Sequence, residues 1–475
     1  MSVRGWDSRL VASARLHFLT RARHPMHAYE EHAWRFSRRD RLACVLLNDT
    51  RMKTFSIRLF FCATALAMHC ESQTGDVPDA SDDAAADAAP SDDASADAGP
   101  APYPAPHPSA PTIRSLGGPV LASPHVIPIV FENDSLAPTI GSFTKALQGS
   151  QYWKATTSEY GIGDLSVDDV VVVPASDTLP GATISDAQIQ AFLAAHLDGA
   201  HAGFGQPDPS TIYALFYPAG TTVTKENGES CKVFGGYHRQ VPLGAMQIAY
   251  VVIPRCSIFN TLSGADAVTA AASHELVEAA TDPFEMTTPA YLVPDDDHMA
   301  YGFYPDTELA DMCSTEDDSY FKADVGFMVQ RTWSNSLAAL GGSGCAPLPP
   351  NYVYWAASPV LTEKVNMDLT SQQMGIIVTK GVTVPLGESR TIDVDVFTTG
   401  PTGPLNLFAF DYPQLQGQSA ELELTFDQAT GVNGDTRKLT IKRVAQDPTY
   451  GGTAFVVMTY TDVNHAHPVV GFAAQ

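Results

Sequence analysis

Residues 71–111 decide how the rest of this 475-residue chain can fold. They run through Asp-Ala-Ser repeats such as Ser81-Asp82-Asp83-Ala84-Ala85-Ala86-Asp87 and end in a proline-rich stretch over residues 100–111. Self-repelling aspartates and polyproline-type prolines carry too little apolar surface to offset the entropy of ordering them. The composition predicts an extended acidic spacer, with folded structure confined to the residues beyond it. The chain is too long for one ordinary core, so more than one domain is expected.

The segment before the spacer looks like a leader. Residues 1–51 hold ten arginines, no lysine and little apolar periodicity, and read as an upstream extension; Met52 is the better start. Lys53 and Arg58 then precede an apolar run over residues 59–68, which ends at Cys70. A positive n-region before an apolar segment too short for a lasting bilayer span predicts a signal peptide over residues 52–70. Cys70 invites a lipoprotein reading, in which its sulfur is acylated and it becomes the new N-terminus. Leu66-Ala67-Met68-His69 lacks the small residues usual before such a cysteine, and ordinary cleavage with secretion is the alternative. Both place the protein outside the cytoplasm, in the cell envelope or secreted, touching a membrane only through a lipid anchor.

The formal charge is −25, unevenly spread: the first 69 residues carry 12 of the 28 basic and 5 of the 53 acidic residues, leaving the remainder near −32. Such a surface repels phosphate backbones and excludes nucleic acid as a partner, while it attracts cations. Four cysteines lie beyond the leader: Cys231, Cys256, Cys313 and Cys345. An even number in an exported chain favours disulfides. Pairing near neighbours, Cys231 with Cys256 and Cys313 with Cys345, closes two short loops, although three connectivities are open. A four-cysteine zinc site is the rival, disfavoured by the absence of CxxC spacing.

Residues 112–347 read as an α/β domain. Apolar, β-branched runs recur at residues 126–131, 170–173, 212–217 and 248–253. Helical patterns fall between them, notably at 185–197, where Ile189, Phe192, Leu193 and Leu197 share one face. Strands alternating with helices predict a layered α/β fold. After the last strand the pattern predicts a helix over 264–281, stopped by Pro283.

That helix carries the chemistry. Its end reads Ser273-His274-Glu275-Leu276-Val277-Glu278-Ala279-Ala280-Thr281-Asp282. At about 100° per residue, Glu278, Asp282 and Glu275 fall at about 40°, 80° and 100° from His274, while Val268, Ala272, Leu276, Ala279 and Ala280 take the other side. Carboxylates so close repel one another unless a proton or a cation intervenes, and a divalent metal is the simplest remedy. The alternative is an amphipathic helix with a solvated polar face. A third ligand must come from elsewhere, and Glu308, Asp311 and His238 are the candidates, in that order. Asp311 or Glu308 could instead cap a turn, and His238 could be a satisfied core residue. The run Asp295-Asp296-Asp297-His298 lacks EF-hand spacing and reads as an exposed loop.

The helix resembles the active-site helix of zincin metallopeptidases, in which His-Glu-x-x-His supplies two zinc ligands and a general base. The resemblance implies Zn2+ as cofactor, His274 as a metal ligand and Glu275 as the base, with Glu278 standing where the second histidine belongs. A wider order of motifs is similar to the EXORDIUM-like, phosphate-induced protein family and its bacterial relatives: Gly117-Gly118-Pro119-Val120, Gly236-Tyr237-His238, Ser273-His274-Glu275-Leu276-Val277-Glu278, Thr281-Asp282-Pro283 and Glu308-Leu309-Ala310-Asp311-Met312-Cys313. This likeness covers roughly residues 112–347 and implies an extracellular protein, linked in plants to growth signalling.

After Pro347-Leu348-Pro349-Pro350, residues 348–475 show short strand patterns at 375–378, 391–397, 405–410, 421–426, 438–441 and 454–459, separated by turn residues such as Gly400-Pro401-Thr402-Gly403. They predict an all-β, immunoglobulin-like sandwich. The whole is expected to be a zincin-like mixed sheet with an active-site helix, joined to that sandwich. Its expected function is that of an exported, lipid-anchored, metal-dependent hydrolase of the zinc metallopeptidase type, acting on an unidentified peptide. The rival is a cell-surface binding or signalling protein whose metal or carboxylate cluster is structural; an acidic adhesin on a tether is a third. No Gly-x-Ser-x-Gly elbow supports a serine route, although Gly342-Ser343-Gly344 superficially approaches one.

Overall fold

All four apolar runs of the central region become strands of one sheet. Six strands make it up: β1 (His125–Phe131), β2 (Ser166–Val167), β3 (Val171–Val173), β4 (Thr211–Phe216), β5 (Tyr237–Leu243) and β6 (Met246–Ile253). The order is β2-β1-β4-β6-β5, with β3 also pairing with β1. Every pairing is parallel except that of β5, which runs antiparallel along the edge of β6. This computed structural model describes residues 101–475 apart from 178–181, 227, 317, 371–373, 447–448 and 463–464. The upstream extension, the signal peptide with Cys70, and the spacer as far as residue 100 lie outside the described residues.

Strands covered on both faces read as unbroken apolar runs, and β4 is buried along its whole length for that reason. Alternate residues point to opposite layers. Val126, Val130, Ile212, Ala214 and Val251 share a core with the helix Gly264–Thr281, while Ile127, Ile129, Tyr213, Leu215 and Val252 face Ile189, Phe192 and Leu193 of the helix Asp186–His196. Two helices, α1 (Ala137–Leu147) and α2 (Gln151–Thr157), lie between the first two apolar runs. The third, α3 (Asp186–His196), starts at a capping box in which the Ser185 hydroxyl accepts from Gln188 N and the Gln188 side chain accepts from Ser185 N. The fourth, α4, spans Gly264–Thr281, the residues expected of it.

Helix α4 departs from expectation in its surroundings. Every residue from Ala267 to Thr281 is buried, polar ones included, so the solvated polar face offered as an alternative is absent. The reason lies downstream: β8 (Met328–Gln330), paired with β7 (Tyr320–Lys322), packs against the helix, and Gln330 N donates to Ser273 Oγ at 2.9 Å. Both disulfides have the near-neighbour pairing, Cys231–Cys256 and Cys313–Cys345, with Cα separations of 5.1 and 5.7 Å. All four sulfurs are consumed, which removes the four-cysteine zinc site.

Beyond residue 350 two further sheets enclose a core of their own. One has the order Trp355–Pro359, Ser389–Thr398, Thr436–Arg443, Leu422–Phe426. The other runs Glu363–Leu369, Gly375–Thr383, His465–Ala474, Gly452–Asp462, Leu405–Asp411, Thr430–Gly431. Val394, Val396, Leu439 and Ile441 of the first meet Leu405, Leu407, Phe455 and Val457 of the second. The outer side of the second sheet is not free: Val365, Met367, Ile377 and Phe472 join the core of the central region, where Phe303 lies 6.2 Å from Phe472. The described residues from 101 on belong to one compact unit, in which the C-terminal sheets share a core with the central region besides the one they enclose between them.

The last eleven residues assigned to the spacer also need correction. His107 stacks on Phe397 at 3.5 Å, Ala105 N donates to Asn433 Oδ1 at 3.1 Å, and Asn433 Nδ2 donates to Pro102 O at 2.9 Å. Proline rings offer apolar surface and few N–H groups to satisfy, so residues 101–111 can lie on the folded body. Among the described residues no helix is long and apolar enough to cross a membrane.

Candidate metal centre

Two imidazoles and four carboxylates meet between α4, β5 and the turn around residues 308–313. One helical turn separates His274 from Glu278, and this i,i+4 spacing puts His274 Nε2 at 3.1 Å from Glu278 Oε2. Asp311 Oδ1 lies 3.4 Å from the same nitrogen and Glu275 Oε1 3.9 Å from it. Asp311 opens the short turn Asp311–Cys313, pinned by the Cys313–Cys345 disulfide.

The second imidazole comes from the edge strand β5. Paired with Val251 of β6, His238 sits with Nδ1 at 3.7 Å from both Glu275 Oε2 and Glu278 Oε2, and Nε2 at 3.7 Å from Glu308 Oε1. Glu275 and Glu278 thus stand between the two histidines. This approach depends on Gly236, where an added Cβ would come within 2.8 Å of Glu275 Cγ and Oε1. A side chain there would have to displace Glu275.

Each group is held by others. Gln330 Nε2 donates to Ala310 O at 2.6 Å, which turns Gln330 Oε1 toward His274 Nδ1 at 3.0 Å. Nδ1 therefore carries the hydrogen, and Nε2 is the atom left to face the carboxylates. Glu278 Oε1 accepts from Ala310 N and Asp311 N, both at 3.2 Å, leaving Oε2 toward the imidazoles. His238 Nε2 lies 3.2 Å from Asp282 O; a carbonyl only accepts, so Nε2 donates and Nδ1 faces Glu275 and Glu278.

Asp282 itself does not join the wedge expected for it. It is the helix C-cap at φ −142°, ψ 63°, and its Oδ1 accepts from Ala290 N at 2.7 Å. The helical wheel fails there because the helix has ended. The run Asp295-Asp296-Asp297-His298 is apart from this cluster and satisfied locally. Asp295 pairs with His298 at 2.7 Å, Asp296 with Arg114 at 2.7 Å, and Asp297 with Lys380 at 3.0 Å and with Lys364.

Burial raises the electrostatic stakes. Relative exposure is 2% for His238 and Glu278 and 1% for Glu308, while the Asp311 side chain, at 22%, is the most open member. Leaving a buried carboxylate uncompensated costs several kcal/mol, so the four need protons or cations nearby. In the protein alone the imidazoles answer part of this. Burial opposes charging His274, but the Glu278 and Glu275 carboxylates outweigh it and hold its pKa well above the usual range. Burial likewise opposes charging His238, and Glu275, Glu285 and Glu278 outweigh it in the same direction.

The donor set also suits a divalent metal. Ligands about 2.1 Å from a tetrahedral zinc lie about 3.4 Å from one another, close to the separations around His274 Nε2. Among the described residues, one ligand atom from each of His274, Glu278 and Asp311 lies within 4.8 Å of the others, and the same holds for His238, Glu278 and Glu308. Asp311, not the first-ranked Glu308, thus completes a set with His274. Sequence reasoning missed Gln330 and the role of Gly236. A lone glutamine in a three-residue strand gives no local signal, whereas the Gly235-Gly236 pair before an apolar position is a visible sign of close backbone approach.

No protein-family model matches the chain, and no curated protein matches it. Among solved structures, the chain is similar over 25% of its length, and 97% of the other's, to a conjugative transposon lipoprotein from Bacteroides eggerthii, at 11% identity and a TM-score of 0.15. Over 77% of its length it is similar to a β-glucosidase from Listeria innocua in complex with glucose, of which it spans about half, 48%, at 9% identity and a TM-score of 0.15. Likenesses this slight identify neither fold nor function.

Proposed function

We propose that this protein is an exported, lipid-anchored hydrolase of peptide bonds that works with one zinc ion held by His274, Glu278 and Asp311. The observation that carries the reading is the convergence of Glu278 and Asp311 on His274 Nε2 at 3.1 and 3.4 Å, while Gln330 fixes the other ring nitrogen. Zinc bound there would polarise a scissile carbonyl and lower the pKa of a water. Glu275 is the proton acceptor: its carboxylate reaches within 3.9 Å of His274 Nε2, in space that the missing side chain of Gly236 leaves open. Asp311, the most exposed member, marks the side from which a peptide enters. Glu278 in place of a second histidine adds negative charge, which weakens the polarisation and increases the demand on Glu275. In this reading the central region is a zincin-like domain of the EXORDIUM-like type, the C-terminal sheets are immunoglobulin-like, and Cys70 carries the lipid.

One observation favours a second reading. With His238, Glu278 and Glu308 almost wholly buried, the cluster leaves little room for a peptide, as suits a structural metal in a surface-binding protein. Casein hydrolysis by the full chain and by Glu275→Gln separates the two. The catalytic reading expects unchanged zinc content and at least about 100-fold slower hydrolysis in the variant. Equal rates, or no hydrolysis in either protein, favour the binding role.

A further inference from the structure

We infer that Tyr320 donates a hydrogen bond to the carbonyl oxygen of the substrate as that oxygen gains negative charge, with Asn260 holding the phenol in place for the task. The inference rests on the hydrolysis proposed above and adds a substrate-touching residue to it.

Strand register brings Tyr320 to the centre. In the β7–β8 pair, Tyr320 stands directly opposite Gln330. Directly opposed residues of an antiparallel pair project from the same face. Gln330 uses that face to reach His274 Nδ1 at 3.0 Å and Ala310 O at 2.6 Å. Phe321, one residue on, faces the other way, with its ring 6.3 Å from that of Tyr152. The Tyr320 ring therefore leaves its strand on the His274 side, and it is half-buried rather than enclosed.

A second hairpin fixes the hydroxyl end. Residues 258–263 turn back on themselves just before helix α4. Phe259 meets the Tyr320 ring edge-on at 6.0 Å, and Asn260 Nδ2 donates to the Tyr320 hydroxyl. The Phe259 ring also lies over Gly235, whose neighbour Gly236 faces the Glu275 carboxylate. One small hairpin thus ties the phenol to the backbone beside the proposed proton acceptor. With Asn260 on the hydroxyl oxygen, the hydroxyl hydrogen is left to give, and it has no acceptor among the described residues. Burial holds the phenol well above its usual pKa range; the Asn260 hydrogen bond opposes that rise and the Asp311 carboxylate adds to it, so the hydrogen stays in place.

A donor fixed before the reaction needs no reorganisation when charge develops, and that is where such a bond stabilises most. The demand is high here, because Glu278 in place of a second histidine weakens the pull of the metal on the carbonyl oxygen. The phenol keeps its proton throughout. Its hydrogen bond strengthens as the carbonyl oxygen becomes anionic and relaxes as the amine leaves.

The test is steady-state hydrolysis of fluorescein-labelled casein by the purified full chain, by Tyr320→Phe and by Asn260→Ala, with zinc content measured on each. The expected result for Tyr320→Phe is native zinc content, a KM within about twofold and a kcat about 100-fold lower. Asn260→Ala, which loosens the phenol without removing it, should lower kcat about tenfold at unchanged KM. A native kcat in Tyr320→Phe overturns the inference and leaves the hydrolysis reading standing. A loss that comes with lost zinc, or as a rise in KM alone, assigns Tyr320 to packing or binding and also overturns it. A native chain that leaves casein intact sinks the hydrolysis reading and this inference together.

Discussion

At the scale of single residues, the centre depends on groups that never touch a substrate. Gln330 reads the Ala310 carbonyl with its amide and presents its oxygen to His274 Nδ1. Replacing it by leucine keeps the volume and removes both contacts. The expected outcome is a 10- to 100-fold loss of zinc affinity with His274 still present, measured by competition with a chelating dye. Gly236→Ala is the steric counterpart. A methyl group 2.8 Å from the Glu275 carboxylate must displace it, so hydrolysis should fall about tenfold or more while bound zinc is retained. His274, Glu275 and Glu278 of the site were legible as residue types in a helical stripe. Gln330 was not, because its partners come from a turn 20 residues away and a helix 56 residues away. Asp282 was misplaced because a helical wheel assumes a helix that ends one residue earlier.

Among the elements, those with strong periodicity were legible and the edges were not. Apolar runs gave β1, β3, β4 and β6, and helix α4 fell on its expected residues, because continuous burial and the stop at Pro283 leave few alternatives. Strand β5 was missed: it carries Arg239, Gln240 and Pro242, pairs on one side only, and comes directly after two glycines. Edge strands tolerate such residues because half their backbone groups need no partner from the sheet. Yet β5 delivers His238, the second imidazole of the cluster. The turn bearing Asp311 depends on a different constraint. The Cys313–Cys345 bridge closes a loop of sequence separation 32, for which chain entropy gives about 4 kcal/mol of stabilisation. Replacing both cysteines by alanine should lower unfolding stability by about that amount in urea titration. It should also weaken zinc binding, because Asp311 loses its anchor; the same replacement at Cys231 and Cys256 leaves that turn tied.

For the molecule as a whole, the folded body is more continuous than composition suggested. The C-terminal sheets pack on the central region through Val365, Met367 and Phe472, and residues 101–111 lie against Phe397 and Asn433, contacts that no local pattern announces. The proposed anchor has its own check: Cys70→Ser should shift the protein from the envelope fraction to the soluble exported fraction, and an unchanged distribution argues against the lipid. The central claim is that His274, Glu278 and Asp311 hold a metal on which function depends. Anomalous diffraction at the zinc edge, on crystals of the full chain grown with zinc, tests it most directly. The account predicts a peak about 2.1 Å from His274 Nε2 with Glu278 and Asp311 as neighbours. A well-ordered cluster without anomalous density, its imidazoles contacting the carboxylates directly, would contradict it.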